Sequence, residues 1–205
     1  MTADSCEDDD ICNSAERNGE IKVPFGLSTA DGRLYAPLDV PLGKDCGCVC
    51  PACGSTLFAK HALNGGTVPH FAHASGAACA GGYESALHLA AKQLILEERC
   101  LFFPAVTAEV RELDVRGNVH VRSQVLATAG PRELHAIQLE VWQPGFRPDL
   151  VVGTADHADR IFVEIAVTHF VDEAKMARVT AANTPLVEFD LSSIADFGDG
   201  DQPFR

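Results

Sequence analysis

The length of 205 residues and the hydrophobic content of 46% predict a globular protein with one domain, or one domain and a small appendage. No run of about 18 apolar residues occurs and the N-terminal segment is acidic, which argues against a membrane span or secretory signal and favours the cytoplasm. The formal charge of −13 excludes a strongly basic nucleic-acid-binding protein, but residues 1–20 carry −6 and residues 186–205 carry −4, so any DNA contact by the remainder must be local and salt-sensitive.

The first part of the chain predicts an acidic tail followed by a small β module. Residues 1–19 contain the run EDDD and few apolar positions, so we expect them to be disordered. Residues 20–29 and 33–40 alternate in polarity and predict two strands joined by a turn at Asp31 and Gly32. The module as a whole is predicted to span residues 20–80.

In the cytoplasm, eight cysteines favour metal ligation or free thiols over disulfides. Cys50 and Cys53 in CPAC, followed by Gly54, are typical of one half of a tetrahedral zinc site. His70 and His73 in HFAH supply the other half, so the spacing predicts a closed, structural zinc site. The alternative is a cysteine-rich loop with surface histidines. Three further cysteines are reserve ligands: Cys46, Cys48 and Cys79.

Residues 83–99 predict a helix of about four turns. Its buried stripe is formed by apolar residues at helical spacing: Leu87, Ala90, Ala91, Leu94 and Ile95. Glu84, His88 and Lys92 share one edge of that stripe because they are four residues apart. One interpretation is a solvated edge with an ordinary ion pair, and the other is a functional role.

Three strand-like runs follow at residues 105–113, 118–127 and 134–142, and they predict an antiparallel meander. Alternation assigns these residues to a packed face: Val110, Val119, Val121, Val125, Ile137, Leu139 and Val141. His120 and His135 are predicted to be exposed strand residues without a chemical role.

Residues 147–178 predict two apolar strands and then a helix that begins near His169. Asp149 opens the first strand and Glu164 lies inside the second. An ionised carboxylate on a buried strand requires compensation, because desolvating an unpaired charge is very costly. Two acids on neighbouring strands can converge on one divalent cation, as in metal-assisted phosphodiester hydrolysis. Residues 185–191 predict a last strand, and residues 193–205 an acidic tail.

The order of these motifs resembles the competence CoiA-like nucleases of the PD-(D/E)xK superfamily. The motifs are CPAC at residues 50–53, HFAH at 70–73, ESALH at 84–88, RPD at 147–149 and VEIAVTH at 163–169. The resemblance implies an α+β protein with an α/β core, in which a zinc-binding β module precedes a restriction-endonuclease-like mixed sheet flanked by helices over residues 81–192. It also favours Cys50 and Cys53 as the zinc ligands.

The resemblance further implies a catalytic Mg²⁺ or Mn²⁺ bound by Asp149, Glu164 and Glu84, with His88 orienting a phosphate or a water. The family usually has a lysine two residues after the glutamate, whereas this chain has Ala166. Lys175 on the following helix is the favoured replacement. Lys92 is another candidate, and a hydroxyl and a helix N-terminus at residues 168–169 also suit phosphate.

The function favoured by the sequence is therefore a metal-dependent hydrolase that cleaves DNA, in preference to RNA, in DNA processing, recombination, competence or mobile-element biology. The alternative is a nuclease fold without activity that binds nucleic acid or a protein partner. The missing lysine and the weak positive charge favour the alternative. Asp149 and Glu164 favour the enzyme.

Overall fold

The computed structural model describes residues 23–61, 68–76, 79, 81–155 and 157–195. Within them the protein is a mixed α+β structure, with mostly strands and few helices. The predicted tail of residues 1–19 lies outside the described residues, as does most of the predicted tail at 193–205. No described helix is both long and apolar enough to cross a membrane. The chain forms two compact units, one with residues 1–93, 167–169 and 190–205, the other with residues 94–166 and 170–189.

The first unit contains two small antiparallel sheets. In one of them β1 (Gly26–Ser28) lies between β2 (Leu34–Tyr35) and β3 (Cys48–Val49). In the other, β4 (Leu57–Lys60) pairs with β5 (His70–His73). Short 3-10 helices at Pro37–Asp39 and Lys44–Cys46 connect these strands. The unit also holds most of helix α1 (Gly82–Glu98) and the short helix α3 (Ser192–Ala195), so the predicted C-terminal tail begins with a helical turn.

The core of the first unit is apolar and rich in cysteine. Its buried residues are Val23, Cys46, Cys48, Cys50, Leu57, Ala59, Phe71 and Ala86. Strand β1 approaches this core closely at Gly26, where an added Cβ would lie 2.8 Å from Cys48 Cβ and 2.9 Å from Phe71 Cζ. The position therefore requires glycine because no side chain fits there.

The second unit is built on a five-stranded sheet in the order β12-β11-β10-β9-β6. The strands are β6 (Cys100–Phe103), β9 (Gly130–Leu139), β10 (Leu150–Thr154), β11 (His157–Ala166) and β12 (Leu186–Asp190). The pairs β6–β9, β9–β10 and β10–β11 are antiparallel. Phe146 and Phe162 pack edge to face with ring centroids 5.3 Å apart, and Val151 and Val179 complete this buried cluster.

Helix α2 (Glu173–Ala181) connects β11 to β12 and begins later than the predicted start near His169. Asp172 is its N-cap, since the Asp172 side chain accepts a hydrogen bond from the Lys175 backbone N–H at 2.6 Å. A carboxylate suits this position because the first backbone N–H groups of a helix lack partners within the helix. Val179 is the residue of α2 that is buried in the core.

Strands β7 (Val106–Leu113) and β8 (Val119–Ala127) form a separate two-stranded sheet, which we call the ribbon. The three predicted strands are present, but the predicted meander is wrong, since β9 pairs with β6 and β10 and not with β8. The prediction of a packed face was also wrong at most of its positions. Five of the residues assigned to that face are more than 40% exposed: Val110, Val119, Val121, Val125 and Leu139. Alternation identifies two faces of a strand but carries no information on whether either face is covered.

The buried face of helix α1 also differs from its prediction. Leu87 and Ile95 are buried as expected, but Leu94 is 58% exposed. Lys92, which was placed on an edge of the stripe, is only 3% exposed. The solvated-edge interpretation is therefore wrong for Lys92.

Candidate metal centres

The first candidate centre begins at a tight turn after strand β3. The Gly54 backbone N–H donates to the Cys50 carbonyl at 2.8 Å, and the Cys50 N–H donates to the Ser55 carbonyl at 2.8 Å. Gly54 has a φ of 71°, a left-handed conformation that glycine adopts without strain. The turn reverses the chain, so the side chains of Cys50 and Cys53 reach the same place.

Two more side chains complete this cluster: His73 at the end of β5 and Cys79, three residues before helix α1. The ligand atoms of Cys50, Cys53, His73 and Cys79 all lie within 4.8 Å of one another. Cys50 Sγ is 4.0 Å from Cys79 Sγ, and Cys53 Sγ is 3.4 Å from His73 Nε2. A tetrahedral ion with Zn–S bonds of about 2.3 Å places neighbouring sulfurs about 3.8 Å apart. The cluster can therefore hold a metal ion, and its chemistry is consistent with zinc.

The predicted ligand His70 is not part of this cluster, and Cys79 takes its place. His70 and His73 begin and end strand β5, and residues three apart on a strand project from opposite faces. The His70 ring instead places Nδ1 2.9 Å from the Val68 carbonyl oxygen. Of the three predicted reserve ligands, only Cys79 joins the set.

The other two reserve cysteines have a packing role. Cys46 and Cys48 are buried, and their thiols donate to the carbonyls of Leu57 and Cys46, each at 3.3 Å. Burial raises the pKa of the Cys48 thiol to about 12, so this sulfur stays protonated. A neutral, buried thiol behaves as a small apolar side chain.

Two thiols of the cluster, those of Cys53 and Cys79, have strongly shifted pKa values. A hydrogen bond from the Ser55 side chain lowers the pKa of Cys53 to about 6. Burial, together with the neighbouring sulfurs of Cys50 and Cys53, raises the pKa of Cys79 to about 11. Crowded thiolates of like charge are unfavourable without a cation, and a bound metal ion removes that cost. Three thiols and one imidazole thus fit a zinc ion.

The second candidate centre lies on strands β10 and β11 of the second unit. Their register pairs Leu150 with Val163, so Asp149 lies directly across from Glu164. Directly opposite residues of an antiparallel pair project from the same face of a sheet. Asp149 Oδ2 accepts a hydrogen bond from the Ile165 backbone N–H at 3.0 Å, which holds this carboxylate beside the end of β11.

Glu164 is a buried carboxylate with one compensated oxygen. Its exposed fraction is 6%, and its Oε2 lies 2.7 Å from Lys175 Nζ. Its Oε1 is buried and has no hydrogen-bond partner among the described residues. Burial raises the pKa of Glu164, Lys175 opposes this rise, and the negative charges of Asp149 and Glu188 add to it. The ion pair therefore compensates this carboxylate only in part.

A chain of contacts fixes Lys175 in this position. Glu188 on β12 accepts a hydrogen bond from the Val171 backbone N–H at 2.6 Å, just before the N-cap residue Asp172. Asp172 in turn accepts from the Lys175 backbone N–H. The start of helix α2 is therefore held from two sides. Sequence reasoning favoured Lys175 but missed Glu188, although an acid between Val187 and Phe189 on a predicted strand was a usable signal.

The remaining predicted residues, Glu84 and His88, belong to the first unit. Glu84 Oε1 lies 3.2 Å from His169 Nδ1, and Thr168 Oγ1 lies 2.8 Å from the same nitrogen. The pKa of Glu84 is lowered mainly by a hydrogen bond from Thr168. A hydrogen bond from His169 and the electrostatic interactions with His169 and His88 lower it further. Glu84 is therefore ionised at neutral pH. His88 lies one helical turn after Glu84 on α1.

The second centre offers oxygen donors, which suit Mg²⁺ or Mn²⁺ better than a softer metal. Glu164 Oε1 is buried without a partner among the described residues, and Asp149 lies opposite Glu164 on the neighbouring strand. Ala166, at the usual lysine position of the resembled family, is 1% exposed and apolar. Among the described residues, Lys175 supplies the positively charged group that contacts Glu164.

No family model, curated protein or solved structure matches the chain.

Proposed function

We propose that the chain is a divalent-cation-dependent nuclease that hydrolyses phosphodiester bonds in DNA, with Mg²⁺ or Mn²⁺ held by Asp149 and Glu164. The observation that carries the proposal is Glu164 itself, a buried acid on an apolar strand with one oxygen left without a partner. A buried charge of this kind is very costly, and a functional site is one place where such a cost persists. The motif order from CPAC to VEIAVTH adds support from the sequence.

Each residue of the centre has a distinct task under this proposal. A bound cation lowers the pKa of a water and neutralises charge that develops on the phosphate. Asp149 and Glu164 supply its oxygen ligands, and the contact of Asp149 with the Ile165 N–H fixes one of them. Lys175 neutralises Glu164 and provides the ammonium donor that Ala166 cannot provide. The predicted role of Glu84 as a third ligand rests on the motif order alone, because Glu84 belongs to the first unit.

An exposed aromatic–cation pair beside the centre supports nucleic acid as the substrate. The Arg147 guanidinium lies 5.4 Å from the centroid of the Trp142 ring, and Trp142 is 73% exposed. Arg147 also lies 3.3 Å from Glu140 and is two residues before Asp149. Exposed aromatic rings stack on bases and arginines contact phosphates, so this pair offers local binding without a basic domain.

Cleavage of plasmid DNA in the presence of Mn²⁺ tests the proposal. We expect cleavage by the wild type, loss of cleavage in Asp149→Asn and Glu164→Gln, and no change in the exposed-residue control Glu173→Gln. Cleavage that is equal in all four proteins would show that the activity comes from elsewhere. Calorimetric titration with Mn²⁺ separates a failure to bind the cation from a failure of the chemistry.

The second candidate function is a binding module without catalysis, and the ion pair between Lys175 and Glu164 favours it. At 2.7 Å this pair compensates one carboxylate oxygen without any metal. A protein that retains DNA at low salt, does not cleave it and binds no Mn²⁺ would have this function.

We also propose that the cluster of Cys50, Cys53, His73 and Cys79 holds a structural zinc ion. All four members are protein side chains, and a closed set of four ligands is typical of structural sites. Elemental analysis of protein purified without chelator is expected to give one zinc per chain. Protein free of zinc that folds normally would contradict this assignment.

A further inference from the structure

The ribbon of β7 and β8 is long and, within the described residues, pairs with no other strand. Its apolar side chains are largely exposed to solvent: Val106 50%, Val110 55%, Leu113 74%, Val119 61%, Val121 53%, Val125 57% and Leu126 63%. A two-stranded sheet alone is marginally stable in water, and an uncovered strand edge is a template for pairing. A partner that pairs with this edge would therefore stabilise the ribbon.

The register of the ribbon separates its two faces. Arg111 pairs with Val121, Leu113 with Val119 and Thr107 with Val125, so these residues share one face. This face carries most of the exposed apolar residues. The opposite face carries mostly polar side chains, among them Glu112, His120, Arg122 and Gln124, and also the exposed Val110.

Two charges lie on the apolar face of β7, at the edge away from β8. Arg111 Nη2 is 3.6 Å from Glu109 Oε2, and their side chains are 72% and 52% exposed. The two residues are two positions apart, so both project from the same face and are available to a strand placed alongside β7.

These charges make the β7 edge complementary to itself. In such a dimer the two-fold axis is perpendicular to the sheet and passes midway between one residue of β7 and the same residue of the second copy. These two residues lie directly opposite each other, because opposite residues of an antiparallel pair project from the same face of the sheet. An axis at Glu109 or at Arg111 would place like charges opposite each other, which is destabilising. An axis at Val110 instead places Glu109 opposite the partner's Arg111, and this pair occurs twice.

We infer that this chain forms a homodimer in which β7 pairs antiparallel with β7 of a second copy. Val110 of each copy then lies opposite Val110 of the other, across the two-fold axis. The two ribbons then form one four-stranded sheet, in which the Glu109–Arg111 pairs of the two central strands lie between the valines of the two outer strands. Glu109 and Arg111 select the register and the partner. This interface involves neither candidate metal centre and does not depend on the proposed nuclease activity.

Sedimentation velocity of charge-reversed variants tests the dimer. We expect the wild type to sediment as a dimer, and Glu109→Arg and Arg111→Glu each to weaken dimerisation at least tenfold, because each change places like charges opposite each other twice. An equimolar mixture of the two variants should form heterodimers, since its cross-strand pairs are again of opposite charge. The double variant E109R/R111E should recover the homodimer. The control Glu112→Arg, opposite the partner's Ala108 in this register, should leave dimerisation unchanged.

The mixture separates pairing from a folding defect, because two misfolded variants do not restore each other. A wild type that stays monomeric at all concentrations overturns the inference, as do dimers that persist in both single variants. A mixture that remains monomeric also overturns it. A monomeric wild type that loses duplex-DNA binding with Arg111→Glu and gains it with Glu109→Arg would assign the ribbon to nucleic acid instead.

Discussion

Replacing Lys175 by methionine removes the ammonium that lies 2.7 Å from Glu164 and keeps most of the apolar length of the side chain. The Glu164 side chain is 8% exposed, so its charge is left in the interior, whereas the Lys175 side chain is 26% exposed and some water reaches the site. Removing one partner of a buried ion pair costs about 3–5 kcal/mol. Because of the partial exposure we expect the lower end, about 3 kcal/mol in the free energy of unfolding.

The loss should depend on pH in a defined direction. Burial already raises the pKa of Glu164 above its ordinary value of 4.5, and Lys175 is the group that lowers it. In Lys175→Met the folded state therefore holds a proton more tightly than the unfolded state does. Stability of the variant is retained at and below the ordinary pKa and falls as the pH rises above it, with a steeper fall than in the wild type.

Urea denaturation at about pH 5 and about pH 8 measures this difference. The control Lys44→Met changes an exposed lysine in the first unit and should stay within about 0.5 kcal/mol of the wild type. Mn²⁺ should stabilise Lys175→Met more than the wild type, because the cation can replace the missing positive charge. If Lys175→Met is as stable as Lys44→Met at both pH values, the ion pair does not compensate Glu164 and the electrostatic argument is refuted.

Three other predictions concern the metal cluster, the first core and the ribbon. Cys79→Ser should lose zinc by elemental analysis while His70→Ala keeps it. The reverse result would support His70 as the fourth ligand instead of Cys79. Gly26→Ala should lower the free energy of unfolding by about 1–3 kcal/mol in chemical denaturation, because a Cβ would lie 2.8 Å from another side-chain carbon. At Gly130 nothing lies within 4 Å of an added Cβ, so Gly130→Ala is the control, and equal losses would contradict the packing argument. Hydrogen bonds from Asn118 lower the pKa of Asp114, in the turn between β7 and β8, to about 2. NMR should therefore show that this turn keeps its structure as the pH falls through the ordinary pKa of 3.8 and loses it only near the lower value. Titration of Asp114 at 3.8 would contradict these hydrogen bonds.

The sequence was sufficient to locate the strands that carry the second centre. The predicted strand ending near Gly153 corresponds to β10, and the predicted strand around Glu164 corresponds to β11. Apolar runs interrupted by one acid are informative, because burial makes that acid an exception that requires a partner. The partner Lys175 was a favoured candidate because it follows on the next helix.

The sequence was insufficient for the fourth member of the cysteine cluster. The spacing of HFAH suits either a compact turn or a strand, and only the pairing of β5 with β4 decides between them. As a strand, the segment places His70 and His73 on opposite faces. Cys79 reaches the cluster through the chain before helix α1, a long-range placement without a local signal in the sequence.

Exposure of the ribbon could not be predicted for a related reason. The alternation of valines in β7 and β8 is the same for a covered face and for a face that awaits a partner. Burial depends on what packs against a strand, and that is a property of the whole fold and of its assembly. The prediction therefore located the strands correctly, but it was wrong in pairing β9 with β8 and in burying most of the residues assigned to a packed face.

Anomalous diffraction from crystals grown with Mn²⁺ tests the central claim most directly. We predict a manganese peak within bonding distance of both the Asp149 and Glu164 carboxylates, with Glu164 Oε1 as one of its ligands. A peak at other residues, or none near these two acids at saturating Mn²⁺, would contradict the assignment of this centre to a divalent cation.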